Sequence, residues 1–241
     1  MPSPLTALHE IGAHLPQLLA GFGVSLVIAI AAMAAALLVG TAIAVGATSR
    51  WRIVKALSFA YIQVFRGVAL YVLIIWVYFG LAIAVGVNFA PIPAGILTLA
   101  LLNSAYLAEI IRTGLQQLGH GQSEAGAALG LSRWTVLTRV ELPQALRAMI
   151  PAIGNQFTDV VKDTSILAVI AVPELMYVSQ NLAQQDFEPF TYYTFAGVLY
   201  IIAVTVITAI VRRLERRRAP ARVAAPAGTS VVSETAQEGI L

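Results

Sequence analysis

Ser123-Glu-Ala-Gly-Ala-Ala-Leu-Gly-Leu-Ser-Arg-Trp-Thr-Val-Leu-Thr-Arg-Val-Glu-Leu-Pro143 is a polar interruption in an apolar chain. It carries Glu124, Arg133, Arg139 and Glu141, a run of small residues from Ala125 to Ala128, and a proline stop. Long apolar segments flank it. Such a stretch belongs at a membrane surface, because a charge placed in a span costs about 2.5–3.5 kcal/mol on insertion scales. Composition agrees. The chain has 241 residues, 59% hydrophobic and 11% charged, against about 25% charged in ordinary soluble domains. So few polar groups do not cover a water-facing surface, and an all-α polytopic membrane protein is expected.

Several chemistries drop out at once. There is no cysteine, which excludes disulfides, thiol catalysis and cysteine-ligated metals. His9 and His14 stand five positions apart, but His120 is far from both and no cysteine completes a zinc-finger set, so no metal site is expected. No Lys or Arg precedes the first apolar run, and that run exceeds a signal core of about 7–15 residues, so it is expected to be retained.

Working outward, five spans are expected, at about 21–47, 58–85, 93–112, 144–172 and 189–211. The first is rich in alanine and includes Gly40 and Gly46, which suits close helix packing in lipid. The uncharged run from Gly67 to Ala108 would be roughly 60 Å long as one helix, twice the hydrocarbon thickness, so it must be two spans. Asn88, Pro91 and Pro93 mark the break. Residues 1–20 are expected as an external segment, 21–212 as the transmembrane domain, 119–143 as its polar loop, and 213–241 as a basic, then disordered tail.

Charge asymmetry orients the chain. The segments 1–20, 86–92 and 173–188 contain no Lys or Arg, but hold Glu10, Glu174, Asp186 and Glu188. Arg50, Arg52, Lys55, Arg112, Arg133, Arg139, Arg147 and the cluster Arg212–Arg218 fall on the other side. The positive-inside rule then puts the N-terminus outside, with the polar loop and C-terminus in the cytoplasm. The terminal cluster reads as an anchor to anionic lipid and not as a nucleic-acid site.

Within the loop, Glu124 to Leu129 suits a short helix with a small-residue face. Gly130 suits a left-handed cap, and Ser132 an N-cap for a second helix reaching Leu142. Pro143 stands where the chain turns back to the membrane. Two readings remain open on these grounds, an amphipathic connector or a docking element.

The fourth span carries charges. Asn155, Asp159, Lys162 and Asp163 fall three or four apart on one helix stripe, followed by Thr164 and Ser165. They read either as a polar lining for a zwitterionic solute or as a self-neutralised cluster. Two acids against one lysine favour a cationic or neutral solute over an acidic one. Glu109 and Arg112 suit an interfacial ion pair, and Arg66 a snorkelling cation.

The spacing Glu124-Ala125-Gly126, three residues, Gly130, nine residues, Val140-Glu-Leu142-Pro143 resembles the cytoplasmic loop of ABC importer permeases, Glu-Ala-Ala, three, Gly, nine, Ile-x-Leu-Pro. Gly126 and Val140 are the departures. Phe65-Arg-Gly67, Tyr78-Phe-Gly80, Asn103-Ser-Ala-Tyr-Leu-Ala-Glu-Ile-Ile-Arg112, Leu142-Pro-Gln-Ala-Leu-Arg147, Lys162-Asp-Thr-Ser165 and Glu174-Leu175 resemble the polar amino acid uptake branch, the histidine and glutamine permease type. Val68-Ala69 stands where that branch has Thr-Pro. The likeness covers about residues 15–212.

The resemblance implies a multi-pass subunit of the bacterial inner membrane. Its loop, through Glu124, Ala125, Gly126, Gly130, Leu142 and Pro143, would dock a cytoplasmic ABC ATPase dimer. That partner would bind the ATP and Mg, leaving this chain with no cofactor and no enzymatic activity of its own. A second permease subunit, identical or related, and an extracytoplasmic solute-binding protein would complete the importer. The residues agree, since the chain has no Gly-x-x-x-x-Gly-Lys-Ser/Thr run to hold a nucleotide. The rival expectation is an ATP-independent secondary transporter or channel subunit, against which stands the lack of an internal repeat.

Overall fold

The computed structural model describes residues 4–86, 88–116, 127–136, 139–140 and 142–218. Among these the chain is helical and no strand occurs. The helices are α1 (Pro4–Ala47), α2 (Arg52–Gly67), α3 (Leu70–Ile75), α4 (Leu81–Val85), α5 (Pro91–Gln116), α6 (Arg133–Val136), α7 (Leu142–Asp163), α8 (Leu175–Gln185) and α9 (Pro189–Arg218). A π-helical turn, Trp76–Gly80, joins α3 to α4, and a 3₁₀ segment, Thr164–Ile170, extends α7. Ile11–Ala47, Pro91–Gln116 and Pro189–Leu214 are each long and apolar enough to cross a bilayer. Two bent helix pairs raise the number of candidate spans to 5, which matches the expected five.

The centre of the bundle is α1 against α5. Ala29, Ala32, Ala36, Ala44 and Ala47 recur at helical spacing and are all buried. Lipid offers no hydrophobic force between helices, so close backbone approach and van der Waals contact hold such a pair. Gly40 lies in this stripe. A Cβ added there would stand 2.8 Å from the Ser104 carbonyl oxygen and 3.0 Å from Leu107 Cβ. At Gly114 the clash is instead with the Met149 side chain, 2.5 Å from its Cε and 2.6 Å from its Cγ. Backbone cannot step aside as a thioether can. Gly40→Ala is therefore expected to cost about 1–3 kcal/mol by overpacking, and Gly114→Ala clearly less, as read from melting curves of the solubilised protein. Equal losses would contradict this view of the α1–α5 contact.

Three features depart from the expected layout. First, α1 is continuous through the segment expected to be external. Its 44 residues make about 66 Å, twice the hydrocarbon core. Its N-terminal part packs Leu18 against Leu175, Leu182, Tyr192 and Ala196 at one end of the bundle. Second, the expected span 58–85 is bent by 105° between Arg52–Gly67 and Leu70–Gly80. Val68 (φ −85°, ψ 134°) and Ala69 (φ −66°, ψ 134°) are extended. The break thus takes the shape proline would impose at position 69, without a proline.

Third, the fourth span is broken. The Thr164 hydroxyl donates to the Val161 carbonyl and the Ser165 hydroxyl to the Lys162 carbonyl, each at 2.7 Å. Both compete with the α-helical ladder where it tightens to 3₁₀. Ala171, at φ 58°, ends that turn. The segment expected as an outer loop, 173–188, is then mostly α8, bent 50° from the preceding helix.

Candidate functional site

Two regions carry the candidate residues. In the loop, Glu124, Ala125 and Gly126 lie outside the described residues. Gly130 adopts φ +72° and its amide donates to the Ala127 carbonyl at 3.0 Å, so the left-handed cap forms as expected. Ser132 caps α6, its Oγ accepting from the Thr135 amide at 3.1 Å. The helix that follows covers Arg133–Val136, residues 139–140 are again helical, and 137, 138 and 141 lie outside the described residues, so the expected reach to Leu142 falls partly on them. Leu142 and Pro143 open α7 instead of closing the loop. Proline suits that place, since the first-turn amides of a helix have no intrahelical partner.

The polar stripe lies on α7. Its depth is fixed by Gln156, whose Nε2 donates to Asn103 Oδ1 at 2.7 Å. Asn103 is the midpoint of α5, so Gln156 sits level with the middle of that helix, and Asp159 and Lys162 stand roughly one and two turns beyond it along α7. Asn155, Asp159 and Lys162 are exposed on the chain's own surface. Lys162 Nζ lies 2.7 Å from Asp159 Oδ1, with the two side chains 54% and 52% exposed. Asp163 is half-buried beside them, and Ser165 half-buried with its hydroxyl returned to the backbone. Thr164 is not part of that face, being fully buried with its hydroxyl bonded to Val161. An exposed ion pair at this depth is not left facing lipid. It calls for water or a second protein surface against it.

The Asn103–Gln156 amide pair was not anticipated as part of a site. Asn103 is fully buried and also donates to the Leu99 carbonyl at 2.7 Å. It pins α5 to α7 one residue from Asn155. The sequence signal was present, an amide in each of two spans, but their pairing is a tertiary fact.

Glu174 was read as an outer-loop charge and proves fully buried. It caps α8, accepting from the amides of Tyr177 at 2.7 Å and Met176 at 2.9 Å. It also accepts from the Tyr200 hydroxyl at 2.8 Å and the Ser25 hydroxyl at 3.3 Å. One carboxylate thus ties α1, α8 and α9 together. At the same end, Asp186 accepts from Tyr192 and lies 3.5 Å from His14 Nε2. At the loop end, Glu109 and Arg112 form the expected pair, with Nε–Oε2 at 2.9 Å. Arg66 lies over the Tyr106 ring, 5.4 Å from its centroid.

The described residues thus form a bundle of helices apolar enough to cross a membrane, two of them bent, with a charged stripe on α7. Residues 36–220 match the model of the binding-protein-dependent transport system inner membrane component, and the chain belongs to that family. It is 35% identical to the glutamine transport system permease protein GlnP of Escherichia coli strain K12 over 204 residues, 84% of this chain and 93% of that protein. It is 32% identical to the probable glutamine permease GlnM of Bacillus subtilis strain 168 over 197 residues, 82% and 91% of the two chains. Among solved structures, an amino acid ABC transporter crystallised with histidines superposes with a TM-score of 0.83 at 28% identity, covering 90% of this chain and 99% of that one. The resemblance to amino-acid ABC permeases read from the motifs is borne out.

Proposed function

We propose that this chain is the membrane-spanning subunit of an ATP-driven importer for a polar amino acid, with the Asn155–Asp159–Lys162 face lining the solute's path. The observation that carries the reading is the Asp159–Lys162 pair, half exposed on the open face of α7 within one to two turns of the Asn103–Gln156 pair. Kinship with amino-acid permeases supports the solute class. Facing a second permease subunit across this stripe, the chain encloses a polar route that one bundle alone leaves open. A zwitterion meets Asp159 and Asp163 with its ammonium, and Lys162 with its carboxylate. Two acids against one cation disfavour an acidic amino acid.

The loop carries the energy coupling. Oriented with positive charge inward, the 119–143 segment lies in the cytoplasm and seats in a separate ATPase dimer, which holds the ATP and Mg. An extracytoplasmic binding protein delivers solute to the opposite end. The rigid corner at Gly130 links the docked part of the loop to α6 and, through Leu142 and Pro143, to α7, which bears the stripe. Gly130→Val forces a β-branched residue into the left-handed region, at about 1–2 kcal/mol. Its expected result is loss of most ATP-coupled uptake, with the binding protein's affinity for solute unchanged. Full uptake by the Gly130→Val protein would remove the loop from the coupling path.

A further inference from the structure

A cavity of about 680 Å³ opens where α1 ends, α2 begins and α5 ends. Because α5 leads directly into the polar loop, the cavity belongs to the loop end of the bundle. Its floor is apolar, with Ile62 buried and Phe59 beside it, and its rim carries Arg52, Lys55 and Arg112. No acidic residue lines it among the described residues. Arg112 is held by both oxygens of Glu109 and by Gln116. Arg52 and Lys55 have no ion pair among the described residues and stand over the apolar floor.

The course of α2 sets this cavity at the bilayer surface. Were α2 to run along the bilayer normal, Arg66 would lie about 21 Å deeper than Arg52. The 105° bend that follows it lets α2 lie across that direction instead. Arg52 and Lys55 line the cavity beside Arg112 and Gln116, Arg66 lies over Tyr106 further back along α5, and Ile53, Leu57 and Val64 on α2 are exposed. α2 is thus amphipathic, with basic residues and an exposed apolar face, a composition suited to the membrane interface.

We propose that this cavity is a binding site for one anionic phospholipid of the leaflet facing the loop. Its phosphodiester meets Arg52 and Lys55, and an acyl chain lies over Phe59 and Ile62. A zwitterionic lipid brings its own cation to the same rim and is disfavoured. Each Lys or Arg near an anionic surface is worth roughly a fivefold preference. The site rests on the membrane placement of the family and not on the amino-acid reading, so each can fail without the other.

Trp51, exposed and adjacent to Arg52, is a built-in reporter. The full chain carrying Trp76→Phe and Trp134→Phe is placed in nanodiscs, and quenching of Trp51 by dibrominated phosphatidylglycerol is compared with that by dibrominated phosphatidylcholine. The expected result is a preference for phosphatidylglycerol of about fivefold or more. It should be lost in Arg52→Gln/Lys55→Gln and kept in Arg52→Lys/Lys55→Arg and in Arg212→Gln/Arg213→Gln. Millimolar inorganic phosphate should leave it unchanged. Equal quenching by the two lipids, or a preference surviving Arg52→Gln/Lys55→Gln, would overturn the site. Loss in Arg212→Gln/Arg213→Gln would reduce it to diffuse surface charge, and erasure by phosphate would make it a soluble-anion site; either outcome also overturns it. Native mass spectrometry of the chain with all its tryptophans gives an independent reading, with one retained phosphatidylglycerol expected and its absence counting against the proposal.

Discussion

Glu174→Ala is expected to lower the melting temperature of the solubilised protein by roughly 6–12 °C, with Glu174→Gln losing much less. The carboxylate is fully buried and accepts from two backbone amides and two hydroxyls on three different elements. Bonds to a charged acceptor contribute about 1.5–3 kcal/mol each, and a buried donor left unpaired costs its full desolvation. Alanine strips the cap of α8 and takes from the Tyr200 and Ser25 hydroxyls their charged acceptor, leaving Tyr200 only Ser25 and Thr164, a loss of about 3 kcal/mol or more. For a chain of this size that corresponds to roughly 2–4 °C per kcal/mol. Glutamine keeps an oxygen for the cap, while its amide group can donate to the Tyr200 and Ser25 hydroxyls. An alanine variant melting with the wild type would mean that this network does not join α1, α8 and α9.

The second large effect falls on transport. Asp159→Asn/Asp163→Asn is expected to weaken the apparent affinity of uptake by about 10–100-fold, the worth of a charge-assisted hydrogen bond to the substrate ammonium. Loop docking and ATP hydrolysis by the partner should persist, because these carboxylates lie at the far end of α7 from Leu142. Unchanged affinity and specificity in the double variant would leave Asp159 and Lys162 as a self-neutralised structural pair.

What could be read from the sequence was local chemistry and long apolar runs. The number of candidate spans follows from run length, and the left-handed corner at Gly130 and the Ser132 cap follow from residue type alone. The bend after Gly67 did not, because Val68-Ala69 contains no residue that breaks a helix. The burial of Glu174 did not, because its partners Ser25 and Tyr200 lie 149 and 26 positions away. The Asn103–Gln156 pair spans 53 positions and was hidden for the same reason. Leu142 and Pro143 were grouped with the loop by spacing, whereas the position of proline in a first helical turn favours the start of α7. On the stripe, helical periodicity placed Asn155, Asp159 and Lys162 on one exposed face. It could not place Thr164, because the helix tightens at that residue and turns it inward.

The account turns on ATP-coupled movement of an amino acid past the α7 stripe. Its most direct test is accumulation of labelled amino acids in proteoliposomes holding this chain, its permease partner and the cognate ATPase, with the binding protein supplied at the face opposite the loop. The predicted result is accumulation that requires both ATP and the binding protein, and that is strongly reduced in Asp159→Asn/Asp163→Asn. Accumulation driven by an ion gradient alone, without ATP, would contradict it.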